Sequence, residues 1–180
     1  MIFYHVISDR PKTLHQHFVV DDEHPNGVHD RVYEQMNRVE DVLNNPEKYK
    51  EVEIDHSLGV ALRELALEKV RKEKYPDYPS RMASLYVSRT YEEAVRWADY
   101  FVKLGRKTYS VAKIETNGRV FYGDAYKCFD GTNSEEENIR LAEIYWKNEP
   151  NEDGREPIVE VLVDGDIEIV EIMKEYNANI

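Results

Sequence analysis

The stretch from Arg81 to Ala98 constrains the fold more than any other part of the sequence. Leu85 to Val87 form a short β-prone run, and Thr90 lies three residues before Glu93, the spacing of a capping box at the start of a helix. Apolar residues then recur at helical spacing at Ala94, Ala98, Phe101 and Val102. The stretch therefore predicts a strand, a tight turn and a capped helix that ends at Leu104-Gly105.

Tyr86 lies near the end of this predicted strand and has two interpretations. Side chains at strand–helix junctions are held by rigid elements and can still reach a ligand. A tyrosine at such a position can equally pack in the core of an ordinary strand–helix unit. The stretch alone favours the core interpretation.

A second informative pattern is the run 156–172, which predicts two strands around Asp164-Gly165. In the first of these strands Ile158, Glu160 and Leu162 share one face, so Glu160 interrupts an otherwise apolar run. Burying an unpaired carboxylate is costly, which predicts either a cleft or a charged partner at Glu160. The alternative is an edge-strand glutamate that faces water.

The rest of the chain supplies strands and helices of ordinary length. Strands are predicted at 2–7, 18–20 and 108–114, the last with 119–122 as its hairpin partner around Asn117-Gly118, and helices at 29–44, 58–72 and 134–147. The mixture predicts an α+β fold in one domain, residues 1–180.

Composition limits the classes of function. The chain has 36 acidic and 24 basic residues and a formal charge of −12, which disfavours a nucleic-acid partner because such binding depends on neutralising phosphates. No run of 18 apolar residues predicts a membrane span, and no secretory signal is visible at the N-terminus. The one cysteine, Cys128, fits a reducing compartment, so a cytoplasmic location is expected.

Histidines raise the question of a metal site. His15 and His17 are two residues apart and would share one side of a strand, but no cysteine or carboxylate completes an established ligand pattern, so no metal is predicted. His5 lies inside the opening strand, where a histidine is more often a satisfied core residue than a ligand-binding one.

Three separated pieces nevertheless occur in a known order. They are F-Y-H at His5, L-Y-V-S-x-T-x-E-E-A at Tyr86, and E-V-L-V-D at Glu160. This order resembles the His-Tyr-Glu branch of the ADP-ribosyltransferase superfamily, which includes poly-ADP-ribose polymerases, and the opening strand is similar to that of rifamycin ADP-ribosyltransferases. The segments 26–32 and 79–88 also look like an uncharacterised bacterial domain family.

The resemblance implies a fold of two small, mostly antiparallel sheets around a cleft, with flanking helices. It implies that His5 bonds a ribose hydroxyl of NAD, that Tyr86 stacks on nicotinamide, and that Glu160 bonds the ribose 2′-hydroxyl. Ser88 and Arg81 are further candidates for contacting NAD, Arg81 at its pyrophosphate. NAD would be a substrate, and no metal would be needed.

The function that the resemblance implies is mono-ADP-ribosyl transfer to an unknown acceptor, either a protein or a small molecule. Two departures leave other classes open: Val6 replaces the glycine that usually follows the first-strand histidine, and Ala94 replaces a serine. The alternatives are a catalytically inactive module that binds NAD or ADP-ribose, and an acidic protein-interaction module of the same fold.

Overall fold

The computed structural model describes residues 1–176; the last four residues of the predicted domain lie outside this part. The strands are β1 (Ile2–Ser8), β2 (His17–Val20), β3 (Leu85–Val87), β4 (Thr108–Thr116), β5 (Val120–Asp124), β6 (Val159–Val163) and β7 (Gly165–Glu175). The helices are α1 (Gly27–Tyr33), α2 (Met36–Asn44), α3 (Pro46–Tyr49), α4 (His56–Lys74), α5 (Tyr91–Lys103) and α6 (Glu135–Lys147). No described helix is long and apolar enough to cross a membrane.

The strands form two small sheets whose pairs are all antiparallel. The four-stranded sheet has the order β1-β4-β7-β2, and the three-stranded sheet has the order β3-β6-β5. The edge strands β1 and β3 meet at a single bridge, in which Ser88 N donates to Tyr4 O at 2.7 Å and Tyr4 N donates to Ser88 O at 3.0 Å. The predicted α+β class with two small antiparallel sheets is confirmed.

Side-chain alternation along the strands divides the core into layers. Between the two sheets lie apolar residues of both, among them Phe3, Ile7, Ile114, Val161 and Ile169. Helices α4 and α6 cover the other face of the three-stranded sheet, and α5 covers the outer face of the four-stranded sheet. Helices α1 and α2 pack on α4. A residue's position in a strand therefore decides whether it faces the other sheet or a helix.

The predicted hairpin of 108–114 with 119–122 is wrong. Strand β4 pairs with β1 and β7, whereas β5 pairs with β6, so the chain crosses from one sheet to the other at Asn117-Gly118. It crosses back at Asp164-Gly165. The two crossings pack on each other: Thr116 Oγ1 donates to the Asp164 carbonyl at 2.9 Å, and the Arg119 backbone N–H donates to the Asp164 carboxylate at 2.6 Å.

Gly118 is required by this close approach of the two crossings. A Cβ atom at residue 118 would lie 1.9 Å from the backbone oxygen of Asp164, far inside van der Waals contact. The Asn-Gly signal at this point therefore marks a crossing between sheets rather than the turn of a hairpin.

The predicted helix 29–44 is two helices. Helix α1 ends at Tyr33 and α2 begins at Met36. In α2, Val39 and Val42 are buried, while Leu43 is exposed. Helix 58–72 is confirmed within two residues at each end, and its first turn is capped by the Asp55 carboxylate, which accepts from Leu58 N at 3.1 Å.

The predicted cap at Thr90 is confirmed, and Ser134 caps α6 in the same way. Thr90 Oγ1 accepts from Glu93 N and Ser134 Oγ accepts from Glu137 N, each at 3.2 Å. These caps satisfy backbone N–H groups in the first turns of α5 and α6.

Candidate functional site

His5 reaches the junction of the two sheets from β1. It lies opposite Ala112 of β4 and shares with Phe3 and Ile7 the face that points toward the three-stranded sheet. Its Nδ1 lies 2.9 Å from the backbone oxygen of Tyr86. A carbonyl only accepts, so Nδ1 carries the hydrogen and Nε2 keeps its lone pair. Burial lowers the pKa of His5 to about 4, so the imidazole is neutral at pH 7.

The Tyr86 ring lies on the opposite face of the three-stranded sheet from His5. Tyr86 pairs with Leu162 of β6 and packs with it in the layer beneath α4 and α6. Its hydroxyl donates to the Arg81 backbone oxygen at 3.2 Å, and its ring centroid lies 5.4 Å from the Arg81 guanidinium carbon. Burial raises the pKa of the Tyr86 phenol.

Glu160 shares this helix-facing side of the sheet with Tyr86. Its strand, β6, is the central strand of the three-stranded sheet, so Glu160 is not an edge-strand residue. The side chain is 13% exposed, and its Oε1 accepts from Arg81 Nη1 at 2.5 Å and from the Tyr145 hydroxyl at 2.6 Å. Glu160 therefore has a partner, which is one of the two outcomes predicted from the pattern, and the water-facing alternative is wrong.

Arg81 is the centre of a buried ionic network. It is 6% exposed, and Nε and Nη2 donate to the Glu64 carboxylate at 3.0 and 3.4 Å. Nη1 donates to Glu160 and, at 2.7 Å, to the Tyr145 hydroxyl, while Nη2 lies 3.5 Å from Cys128 Sγ. These contacts engage all five N–H groups of the guanidinium. In this arrangement Arg81 has no free N–H group for the pyrophosphate contact that the resemblance implied.

Glu64 is the second carboxylate partner of Arg81 in this network. It is 1% exposed and accepts from Arg63 Nε at 3.0 Å and Nη2 at 2.9 Å as well as from Arg81. Burial would raise the pKa of Glu64, but the charges of Arg81 and Arg63 lower it below its usual value. Burial likewise opposes the charge of Arg81, but Glu160 and Glu64 hold its pKa above the ordinary value.

Sequence reasoning missed Glu64 and Tyr145, which complete the network. A signal for Glu64 existed: on α4 it lies three residues after Ala61 and three before Leu67, both fully buried, so it falls on the inward face. Tyr145 is likewise buried on α6, and burial raises the pKa of its phenol.

The remaining predicted positions serve the fold in this structure. Ser88 is buried, and its backbone makes the bridge to Tyr4 that joins the two sheets. Val6 and Ala94, the two departures from the ADP-ribosyltransferase pattern, belong to one apolar cluster between β1 and α5.

Two open grooves lie on the surface of the described residues. One, of about 710 Å³, runs between α5 and the start of β6 and is lined by Arg96, Trp97, Tyr100, Pro157 and Val159, among others. A second, of about 380 Å³, lies against α4. Neither of these two grooves is lined by His5, Tyr86 or Glu160.

The histidine pair lies elsewhere, on the four-stranded sheet. His15 Nδ1 and His17 Nε2 lie 3.5 and 3.7 Å from Glu168 Oε1. Within residues 1–176 no group of three or more His, Cys, Asp or Glu side chains is arranged to hold a metal ion.

The fold and the network together define an α+β protein of two small antiparallel sheets with a buried Arg–Glu cluster at the helix-facing side of one of them. The chain belongs to the family described as "Protein of unknown function (DUF2441)", whose model matches residues 3–175. No curated protein matches the sequence.

The low pKa of His5 predicts a pH-dependent stability. An unfolded histidine has a pKa near 6.5. Below pH 6.5 His5 therefore binds a proton in the unfolded chain, whereas in the folded chain it binds one only near pH 4. The contribution of His5 to the free energy of unfolding is therefore fully present above pH 6.5. It falls between pH 6.5 and 4, by up to about 3 kcal/mol.

Urea unfolding at pH 7 and pH 4.5 checks this prediction by comparing wild type with His5→Asn. Asparagine offers an amide N–H to the Tyr86 carbonyl and does not titrate, so the variant is expected to lose less stability on acidification than wild type. Equal losses in the two proteins would show that His5 is not responsible.

Proposed function

We propose that the chain cleaves NAD at the bond between nicotinamide and ribose and transfers ADP-ribose to an acceptor. The observation that carries this proposal is the arrangement around Arg81. The Tyr86 ring and the Glu160 carboxylate share one face of the three-stranded sheet, with the Arg81 guanidinium 5.4 Å from the ring centroid and 2.5 Å from the carboxylate. His5 contacts the Tyr86 backbone from the other face.

The chemistry needs these residue types. Breaking the glycosidic bond leaves positive charge on the ribose, and a fixed carboxylate stabilises that charge and can take the proton of the attacking hydroxyl. In this proposal Glu160 supplies the carboxylate and the rigid Tyr86 ring supplies a stacking surface for nicotinamide. His5 supports Tyr86 from the other face of the sheet, through the hydrogen bond to the Tyr86 backbone oxygen.

The test measures nicotinamide released from NAD, with a cell extract as the source of acceptor, for wild type, Tyr86→Phe and Tyr86→Leu. Release is expected from wild type and from Tyr86→Phe, which keeps the ring and loses only the hydrogen bond to the Arg81 carbonyl. Tyr86→Leu, which removes the ring, is expected to reduce release at least tenfold. Unfolding of each variant is followed in parallel. Equal release from folded Tyr86→Leu and wild type would contradict the role given to Tyr86.

A second candidate function is a module that binds NAD or ADP-ribose, or another protein, without turnover. Two observations favour it: Val6 and Ala94 are used in packing α5 on β1, and Arg81 occupies Glu160 Oε1. Calorimetric titration with NAD separates the candidates. Binding without nicotinamide release supports the module, and release supports the enzyme.

A further inference from the structure

We propose that Arg81 is a positioning residue, which holds one oxygen of Glu160 so that the other is presented to the ligand. The proposal rests on the proposed function, because it assigns Arg81 a part in the same site. It replaces the expected contact between Arg81 and a pyrophosphate with a contact to Glu160.

The two carboxylate oxygens of Glu160 differ in their partners. Oε1 accepts two hydrogen bonds, from Arg81 Nη1 and from the Tyr145 hydroxyl. Oε2 accepts none from any residue of the described 1–176. Two donors on one oxygen fix both the position and the rotation of the carboxylate. Oε2 is thus the oxygen available to a ribose hydroxyl.

Arg81 can hold Glu160 because it is itself held from the other side. Glu64 accepts from Nε and Nη2, and Arg63 in turn bonds Glu64, so Arg81 sits between two carboxylates rather than pairing with Glu160 alone. The Tyr145 hydroxyl accepts from Arg81 and donates to Glu160, which closes a small ring of hydrogen bonds. Such a closed ring leaves the carboxylate little rotational freedom.

The charges in this network balance. Two arginines, Arg63 and Arg81, face two glutamates, Glu64 and Glu160, and the uncharged groups beside them are Tyr86, Tyr145 and Cys128. Burying a balanced set of charges avoids the penalty of an unpaired buried charge. The arrangement therefore pairs the Glu160 carboxylate with a buried guanidinium.

The test separates kcat from KM for NAD cleavage in three variants. Tyr145→Phe keeps all charges and removes one hydrogen bond to Oε1, and is expected to lower kcat about tenfold with KM nearly unchanged. Arg81→Met is expected to lower kcat about a hundredfold, since loss of alignment at the reacting carboxylate acts on the transition state. Arg81→Lys, which restores one charged donor, is expected to recover part of that loss.

Arg71→Met is the matched control, because Arg71 is also a buried arginine in a two-pronged pair, with Glu68, but lies outside the network. It is expected to lower stability and leave the kcat of the folded protein unchanged.

If Arg81→Met does not fold, the kcat of Tyr145→Phe alone tests the positioning role. An unchanged kcat in folded Tyr145→Phe overturns the positioning role. A wild-type protein that releases no nicotinamide overturns both the proposed function and this inference. That outcome differs from failure of the inference alone, in which wild type and Tyr145→Phe release nicotinamide with the same kcat.

Discussion

Replacing Glu64 with alanine is expected to lower the free energy of unfolding by about 3–5 kcal/mol, the usual range for removing one partner of a buried charged pair. Glu64 is 1% exposed and is the common acceptor of Arg63 and Arg81. Without it, Arg81 stays buried with one carboxylate in place of two, and Arg63 loses its ion pair. The cost comes mainly from the excess buried positive charge, because two arginines then face the single remaining glutamate, rather than from the lost hydrogen bonds.

Urea unfolding of wild type, Glu64→Ala and Glu135→Ala measures this effect. Glu135 also pairs with a base, Lys69, at 3.1 Å, but both side chains are about half exposed. An exposed pair of this kind is worth less than about 1 kcal/mol. Similar losses in the two variants would show that the network does not depend on burial.

Local sequence patterns predicted the elements well because local signals specify them. The capping residues Thr90 and Ser134 mark the starts of α5 and α6, and Gly105 takes a positive φ just beyond the end of α5. What local patterns do not specify is which strands pair. Asn117-Gly118 has the chemistry of a hairpin turn, yet the chain there changes sheets because the second crossing, at Asp164-Gly165, packs against it.

Only part of the candidate site could be predicted from the sequence, for a related reason. The alternation of β6 predicted that Glu160 needs a cleft or a partner, but the partner lies 79 residues away at Arg81. A basic residue in a loop is most often a surface base, and nothing next to Arg81 in the sequence indicates burial. Glu64 and Tyr145 come from two different helices, so their meeting depends on the packing of α4 against α6.

Substituting Glu160 with glutamine is expected to reduce nicotinamide release from NAD at least a hundredfold. Glutamine keeps the shape of the side chain and can still accept from Arg81 through its amide oxygen. It removes the negative charge that stabilises a developing positive charge on the ribose, and it cannot take a proton from the attacking hydroxyl. Because the packing of β6 is kept, the loss is expected in kcat rather than in folding.

Glu168→Gln is the control, since Glu168 lies on β7 of the other sheet beside His15 and His17 and has no part in the network. Nicotinamide release is measured for wild type, Glu160→Gln and Glu168→Gln at equal concentrations of folded protein. Release is expected from wild type and Glu168→Gln, and its loss is expected in Glu160→Gln. No release by wild type, or equal release by all three proteins, would contradict the proposed cleavage of NAD.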